Sequence, residues 1–289
     1  MLLRMLKDLL GGRKAVEVSA ESAEQIYHAA TAAYLAGDTA LALDHCQRLR
    51  RVAPAFHDVD MLQAQIRFSG QHYFQILARI IEALRPRSYV EIGVAAGDSL
   101  RLARAPTVAI GIDPEPQLAA PLASNQKVFA ETSDAFFAGH DLRAELGGLP
   151  VDLAFIDGMH HFEFALRDFA NLERYCTPAS TILIHDCYPL DRETAERERR
   201  RTFWTGDVWR LIVLLKKQRP DLAIHTIGTA PTGLALVRKL DPGSRVLLER
   251  HDQLCREYLA LDYSHIEHDM AAKLNLFPND WERIRPLLG

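Results

Sequence analysis

Between residues 86 and 240, short apolar runs alternate with longer segments whose apolar positions recur at helical spacing. The runs are SYVEIG at 88–93, TVAIGID at 107–113, VDLAFID at 151–157, STILIHD at 180–186, LAIHTIG at 222–228 and GLALVRK at 233–239. Runs of this length with little polar alternation predict strands buried on both faces. Strand alternating with helix predicts an α/β protein with a doubly wound, Rossmann-like parallel sheet. Only residues 229–232, with Pro231 among them, separate the last two runs; this is a hairpin, so the last strand is expected to be antiparallel. Ahead of the sheet, Tyr73, Leu77, Ile80, Ile81 and Leu84 share one helical face that stops before Pro86, and this helix should lie against the sheet.

From residue 19 to 84 the chain is rich in Ala, Leu, Gln and Arg, without a β-branched run, and reads as successive helices. Ala29, Ala30, Ala33, Gly37, Ala42 and Pro54 fall where a tetratricopeptide-like hairpin puts its small residues, turn glycine and closing proline. The pattern resembles one such repeat, and one repeat cannot build a solenoid core. A helical cap, or an arm through which a homo-oligomer forms, is the expectation. The expected organisation is a helical N-terminal extension over 1–70, a sheet domain over 71–240 and a helical C-terminal extension over 241–289. Residues 1–14 read as a short amphipathic helix, with neither the 18 apolar residues of a transmembrane segment nor a cleavage site, which favours a cytoplasmic protein.

Composition narrows the classes. With 289 residues, 48% hydrophobic and 25% charged, the chain is an ordinary globular protein rather than a disordered one. A net charge of −4 gives no expectation of a nucleic-acid partner. Cys46, Cys176, Cys187 and Cys255 are separated by 130, 11 and 68 positions, which is neither a zinc spacing nor a disulfide framework, so they read as reduced thiols.

In an open α/β sheet, ligands bind beyond the carboxyl ends of the strands, so the residues that close each run carry the chemistry. The first run closes as Glu91, Ile92, Gly93, Val94, Ala95, Ala96, Gly97, Asp98, Ser99. The glycines suit a sharp turn with a ligand close to the backbone. A dinucleotide fingerprint would read G-x-G-x-x-G, and Glu91 would repel a pyrophosphate while tolerating a cationic ligand with an amino group and a sulfonium. The second run closes at Asp113, twenty residues beyond Gly93, where a carboxylate can accept from both hydroxyls of a ribose.

On these residues the chain resembles the class I S-adenosylmethionine-dependent methyltransferases, over about Tyr73 to Lys239. The resemblance implies a seven-stranded sheet with an antiparallel last strand, and S-adenosylmethionine as cofactor. It places Glu91 near the methionine amino group, with Gly93, Val94, Ala95, Gly97, Asp98 and Ser99 along the cofactor. Asp113 and the adjoining Pro114 would meet the ribose, and Ser133 and Asp134 the adenine. Gly158 and Asp157 would close the pocket from the next strand.

The fourth strand end, Asp157, Gly158, Met159, His160, and the fifth, His185, Asp186, should face the transferred methyl group. A DG-x-H followed by a later HD is similar to a subgroup that includes O-methyltransferases of sugars and other natural-product hydroxyls, and proteins described as cephalosporin hydroxylase-like. Methyl transfer needs alignment and removal of a proton from a hydroxyl. His160 is the expected general base, with Asp157 and His185 beside it. A divalent cation such as Mg2+ on Asp157 and Asp186 is the competing device, although His185 offers nitrogen where hard-cation sites place oxygen. The arginines at 192, 197, 199, 200 and 201 read either as a solvated helix or as a lid able to grip an anionic acceptor. The function expected is methylation of a hydroxyl on a small-molecule or glycosyl acceptor. A fold relative with hydrolase or hydroxylase-like chemistry, or a non-catalytic scaffold that binds a partner through its helical arm, are the alternatives.

Overall fold

The computed structural model describes residues 22–56 and 58–289; the amphipathic helix expected at 1–14 lies outside them. The chain divides into two compact units after Phe56. The first is a helical hairpin, α1 (Ala23–Leu35) and α2 (Thr39–Val52). Ser22 and Gln25 form a capping box at the start of α1, and the Asp38 carboxylate accepts from the Leu41 amide at the start of α2. Gly37 turns the chain at φ 82°, a left-handed conformation that favours glycine. Ala30, Ala33, Ala42, Cys46 and Leu49 are buried, the small residues having been the legible part of the pattern.

The second unit runs from residue 57 to the C-terminus. It comprises α3 (Asp58–Arg67), α4 (Tyr73–Leu84), β1 (Ser88–Ile92), β2 (Val108–Ile112), β3 (Gln126–Phe129), α5 (Ser133–Gly139), β4 (Leu153–Ile156), α6 (Phe162–Glu173), β5 (Thr181–His185), α7 (Trp209–Gln218), β6 (Ala223–Ile227), β7 (Leu234–Arg238), α8 (His251–Leu259) and β8 (Leu276–Phe277), with short helical turns between. The sheet has eight strands in the order β3-β2-β1-β4-β5-β7-β6-β8, one more than the expected seven. β7 is antiparallel to both neighbours and every other pairing is parallel. The additional strand β8 comes from the C-terminal segment expected to be wholly helical; it adds two residues to the edge at β6.

Successive residues of a strand point to opposite faces, and the two cores follow that alternation. Val90, Ile92, Ile110, Ala154, Ile156, Ile182 and Ile184 share a core with Phe162, Leu166 and Phe169 of α6 and with Trp209, Leu211 and Ile212 of α7. Tyr89, Ala109, Leu153, Phe155, Leu183 and Leu236 share the other with Ile76, Leu77, Ile80 and Ile81 of α4. The C-terminal segment also belongs to this unit, because Leu254, Tyr258 and Ile266 lie in the first core. None of the four cysteines forms a disulfide. Among the described residues no helix is long and apolar enough to cross a membrane.

Register fixes the site. Ile92 of β1 pairs with Ile112 of β2 and with Ile156 of β4, and Ile156 pairs with Ile184 of β5. Gly93, Asp113, Asp157 and His185 each follow a member of that row, so four chemically distinct groups leave the sheet at one level. The strand order reverses direction between β1 and β4, the switch point at which such sheets open a crevice.

Candidate active site

At the switch point β1 and β4 are nearly in contact beyond their ends. A Cβ at Gly93 would stand 2.0 Å from the Asp157 carbonyl oxygen, and φ there is 89°, so no other residue fits. The loop that follows is held by Asp113, whose Oδ2 accepts from the amides of Val94 at 2.8 Å and Ala95 at 2.9 Å while Oδ1 accepts from Glu115 at 2.8 Å. Ala95 takes a left-handed φ of 44°, a conformation that side chains adopt at a cost and that tends to gather at functional sites.

Glu91 is placed differently from the sequence expectation. It has no exposed surface, and its two oxygens accept hydrogen bonds from Tyr89 Oη and Ser99 Oγ, both at 2.7 Å. It braces the loop from below and does not line the cavity. Burial pushes its pKa up to about 8, against the opposing pull of those two hydrogen bonds. The carboxyl is therefore largely protonated at neutral pH, which removes the charge repulsion reasoned from sequence. Gly97 is likewise off the cavity wall, turning the chain at φ 80°.

A cavity of about 1310 Å³ begins at this loop. Its first half is lined by Gly93, Val94, Ala95, Asp98, Ser99, Asp113, Pro114, Ser133, Asp134 and Gly158, all expected, together with Phe164 and Asp168 from α6, which sequence reasoning missed. Asp134 pairs with Arg167 at 2.6 Å. Asp168 is buried; desolvation raises its pKa to about 7, and its Oδ1 has no hydrogen-bond partner.

The second half holds Asp157, His160, His185 and Asp186. His185 Nδ1 lies 3.1 Å from Asp157 Oδ1 and 3.0 Å from Asp186 Oδ2, and its Nε2 is 3.3 Å from Thr232 Oγ1. His160 Nε2 lies 3.0 Å from Asp186 Oδ2 and 3.7 Å from Asp157 Oδ1, while the Trp204 carbonyl faces its Nδ1 at 3.2 Å. His160 and Asp186 both occupy left-handed backbone, at φ 57° and 54°. Burial disfavours the charged form of each histidine, but Asp186 and Asp157 outweigh it: His160 is raised well above the ordinary range and His185 to about 10. Burial opposes ionisation of Asp186 too, and the two imidazoles overcome it, holding that carboxyl well below its usual range. The carboxylates beside them thus bias both imidazoles toward the charged form.

Rings flank this cluster from two directions. Tyr73, at the start of α4, has its ring 4.1 Å from that of His185, and Trp204 stacks on His160 at 5.4 Å and 24°. Residues 191–206 are a looped segment rather than the helix considered from sequence. Arg197 pairs with Glu163 at 2.7 Å and Asp207 at 2.8 Å; Arg201 pairs with Asp60, Asp191 and Glu193. Arg192 reaches Asp262 and Glu267. Arg199 and Arg200 are exposed, and none of the five arginines lines the cavity. Arg192, Arg197 and Arg201 fasten the segment to the body, while Arg199 and Arg200 bond within it.

Residues 90–187 match the family model described as a methyltransferase domain. The match runs from within β1 to just past β5. The chain is also similar to solved structures. One is the O-methyltransferase TomG from Streptomyces achromogenes, involved in tomaymycin synthesis and solved with S-adenosylmethionine: 17% identity, TM-score 0.45, covering 62% of this chain and 87% of that one. Another is an O-methyltransferase from Bacillus cereus in complex with S-adenosylhomocysteine: 15% identity, TM-score 0.44, covering 68% and 90%. A comparison with proteins of curated function gives no significant match.

Proposed function

We propose that the protein methylates a hydroxyl of a small molecule with S-adenosylmethionine as donor. The observation that carries this is the single cavity that runs from the Gly93 loop and Asp113 to the Asp157, His160, His185, Asp186 cluster. One end offers the Gly93 loop, the Asp113 carboxylate for ribose hydroxyls, and Ser133 and Asp134 for a base; the other offers titratable groups for a reacting hydroxyl. The donor supplies a methyl group on a sulfonium, so the O–C bond forms as the S–C bond breaks, leaving S-adenosylhomocysteine and the acceptor's proton. The residues of this chain contribute alignment and a route for that proton.

As general base His160 must be neutral, whereas Asp157 and Asp186 hold it charged. This favours a divalent cation as a second device. Ligand atoms of Asp157, His160 and Asp186 lie within 4.8 Å of one another, and the Trp204 carbonyl can fix the proton on Nδ1, leaving the Nε2 lone pair to a metal. Two carboxylates and one imidazole suit a borderline or hard divalent ion, which would lower the pKa of a bound hydroxyl.

Isothermal titration with S-adenosylhomocysteine tests the donor site. Binding to the wild type is expected, with a loss of about tenfold or more in Asp113→Ala as hydrogen bonds to a carboxylate disappear. Absence of binding to the wild type would refute the proposal. Dialysis against a chelator, followed by Mg2+ or Mn2+ with melting temperature and turnover both recorded, separates base from cation: recovery of both supports the cation, and unaltered turnover leaves His160 as base.

A further inference from the structure

Helix α6 starts without a cap of its own. His161 precedes it and makes no side-chain hydrogen bond to the helix, so the amides of the first turn need acceptors from elsewhere. One comes from 45 positions further on: Asp207 Oδ1 accepts from the Phe162 amide at 2.7 Å. The Asp207 amide donates to the His160 carbonyl at 3.1 Å, and Oδ2 receives Arg197 at 2.8 Å and Arg210 at 2.7 Å. Two further groups of the 191–206 segment close on the same turn. The Trp204 carbonyl faces His160 Nδ1 and the Arg197 carbonyl faces His161 Nε2, each at 3.2 Å. Asp207 has no exposed surface, so bulk water does not compete for its oxygens.

His160 needs such holding. Its φ of 57° is a left-handed conformation that a side chain adopts at a cost, and a turn of that kind persists only where its surroundings over-determine it. At residues 160 and 162 the backbone hydrogen bonds that leave α6 both end on Asp207. Resting on the methyltransferase reading, in which His160 stands at the reacting oxygen, we propose that Asp207 is the positioning residue of His160. It acts through the 160–162 turn, setting the ring against Asp186 and Trp204, and through Arg197 and Arg210 it ties that setting to the 191–206 segment and to α7. Asp207 does not line the cavity, so it acts only through that turn, and it lies beyond the matched residues 90–187. A carboxylate suits the place because donors face both of its oxygens. An amide there must turn its NH2 toward either the Phe162 N–H or the two guanidinium groups, and both are donors.

The test compares Asp207→Asn with Arg219→Gln, which breaks a buried ion pair with Glu173 at the far end of α6. Melting temperature measures the loss of stability common to both. The His160 ring, labelled with carbon-13 and assigned by its disappearance in His160→Gln, is followed by NMR through the contact of its Hε1 with the stacked Trp204 ring. The contact should be kept in Arg219→Gln and lost in Asp207→Asn. Arg197→Gln, which leaves Asp207 to Arg210 and the Phe162 amide, should weaken it without abolishing it, and decides the matter if Asp207→Asn does not fold. Retention of the contact in a folded Asp207→Asn, full retention in Arg197→Gln, or equal loss in Arg219→Gln would overturn the proposal. S-adenosylhomocysteine titration of the same samples keeps the two readings apart. Wild type that binds no nucleoside refutes the methyltransferase reading while the ring contact still decides the role of Asp207; nucleoside binding with the contact intact in Asp207→Asn refutes only that role.

Discussion

Gly206→Ala is the most incisive single change. Gly206 closes the 191–206 segment against the His160 turn: a Cβ there would stand 1.8 Å from the His160 carbonyl oxygen, at φ 59°. His160 cannot yield freely, because the Asp207 amide donates to that same oxygen at 3.1 Å and the Trp204 carbonyl faces the ring. Ordinary contact therefore requires the His160 turn to move by more than about 1 Å, and a displacement of that size in an aligned site costs on the order of a hundredfold in rate. The left-handed backbone adds about 1 kcal/mol and the overpacking about 1–3 kcal/mol. For a unit of this size the melting temperature should fall by roughly 5–15 °C. The contact falls on the His160 carbonyl and not on Val94, Ala95 or Asp113, so S-adenosylhomocysteine affinity should stay within about threefold. Steady-state turnover, thermal melting followed by circular dichroism and nucleoside titration measure the three quantities. Wild-type turnover with an unshifted melt would show that the His160 turn is not held as described, and a parallel collapse of nucleoside affinity would show that the two ends are not separable.

Three further outcomes are expected. Glu91 has a folded pKa of about 8 against an ordinary value of 4.5; its folded state holds a proton that the unfolded chain releases, so stability is fully present below pH 4.5 and declines as pH rises through about 8. Glu91→Gln should flatten that decline in chemical denaturation across the window, and an unchanged slope would contradict the assignment. Asp207→Ala removes a carboxylate with no exposed surface that accepts from the Phe162 amide and pairs with Arg197 and Arg210. Stranding Arg210 should cost about 3–5 kcal/mol, read as a melting drop of about 10 °C. If a cation binds at the His160 cluster, chelation should lower the melting temperature of wild type but not of Asp186→Asn; equal melting shifts would place any metal elsewhere.

The parts of the fold that could be read from sequence are those whose burial is two-sided. β1, β2, β4 and β5 are nearly continuous apolar runs because helices cover both faces, and their shared register brings Asp157 and His160 close to His185 and Asp186 across nearly thirty residues. β3 escaped because Gln126–Phe129 is a partly exposed edge with two polar residues in four, and β8 because two residues leave no period. Glu91 was legible as a strand-end carboxylate but not as a buried one. Tyr89, two positions away on the same face, was a usable signal; Ser99, brought back by the loop, was not. Asp168 sits among the core residues of α6 and Trp204 in an irregular segment, so neither spacing nor motif could mark them as cavity wall. Tyr73 was read as the start of an apolar stripe, which it is, and helix geometry also turns its ring onto His185.

Asp207 joins the start of α6, the start of α7 and the 191–206 segment at one point within the protein. That segment is anchored by its backbone and by Arg197 and Arg201, Phe203 is buried in a cluster with Ala64 and Leu190, and Trp204 Nε1 donates to the Glu196 carbonyl at 2.6 Å, so among the residues it turns toward the cavity the exposed Thr202 bears the least of the framework's cohesion. Descendants of this chain could exchange Thr202 for another residue and alter the cavity wall while the sheet and the Gly93 loop stay as they are. The ion-paired anchor thereby divides the molecule into a part that heredity must keep and a part that it is free to rewrite.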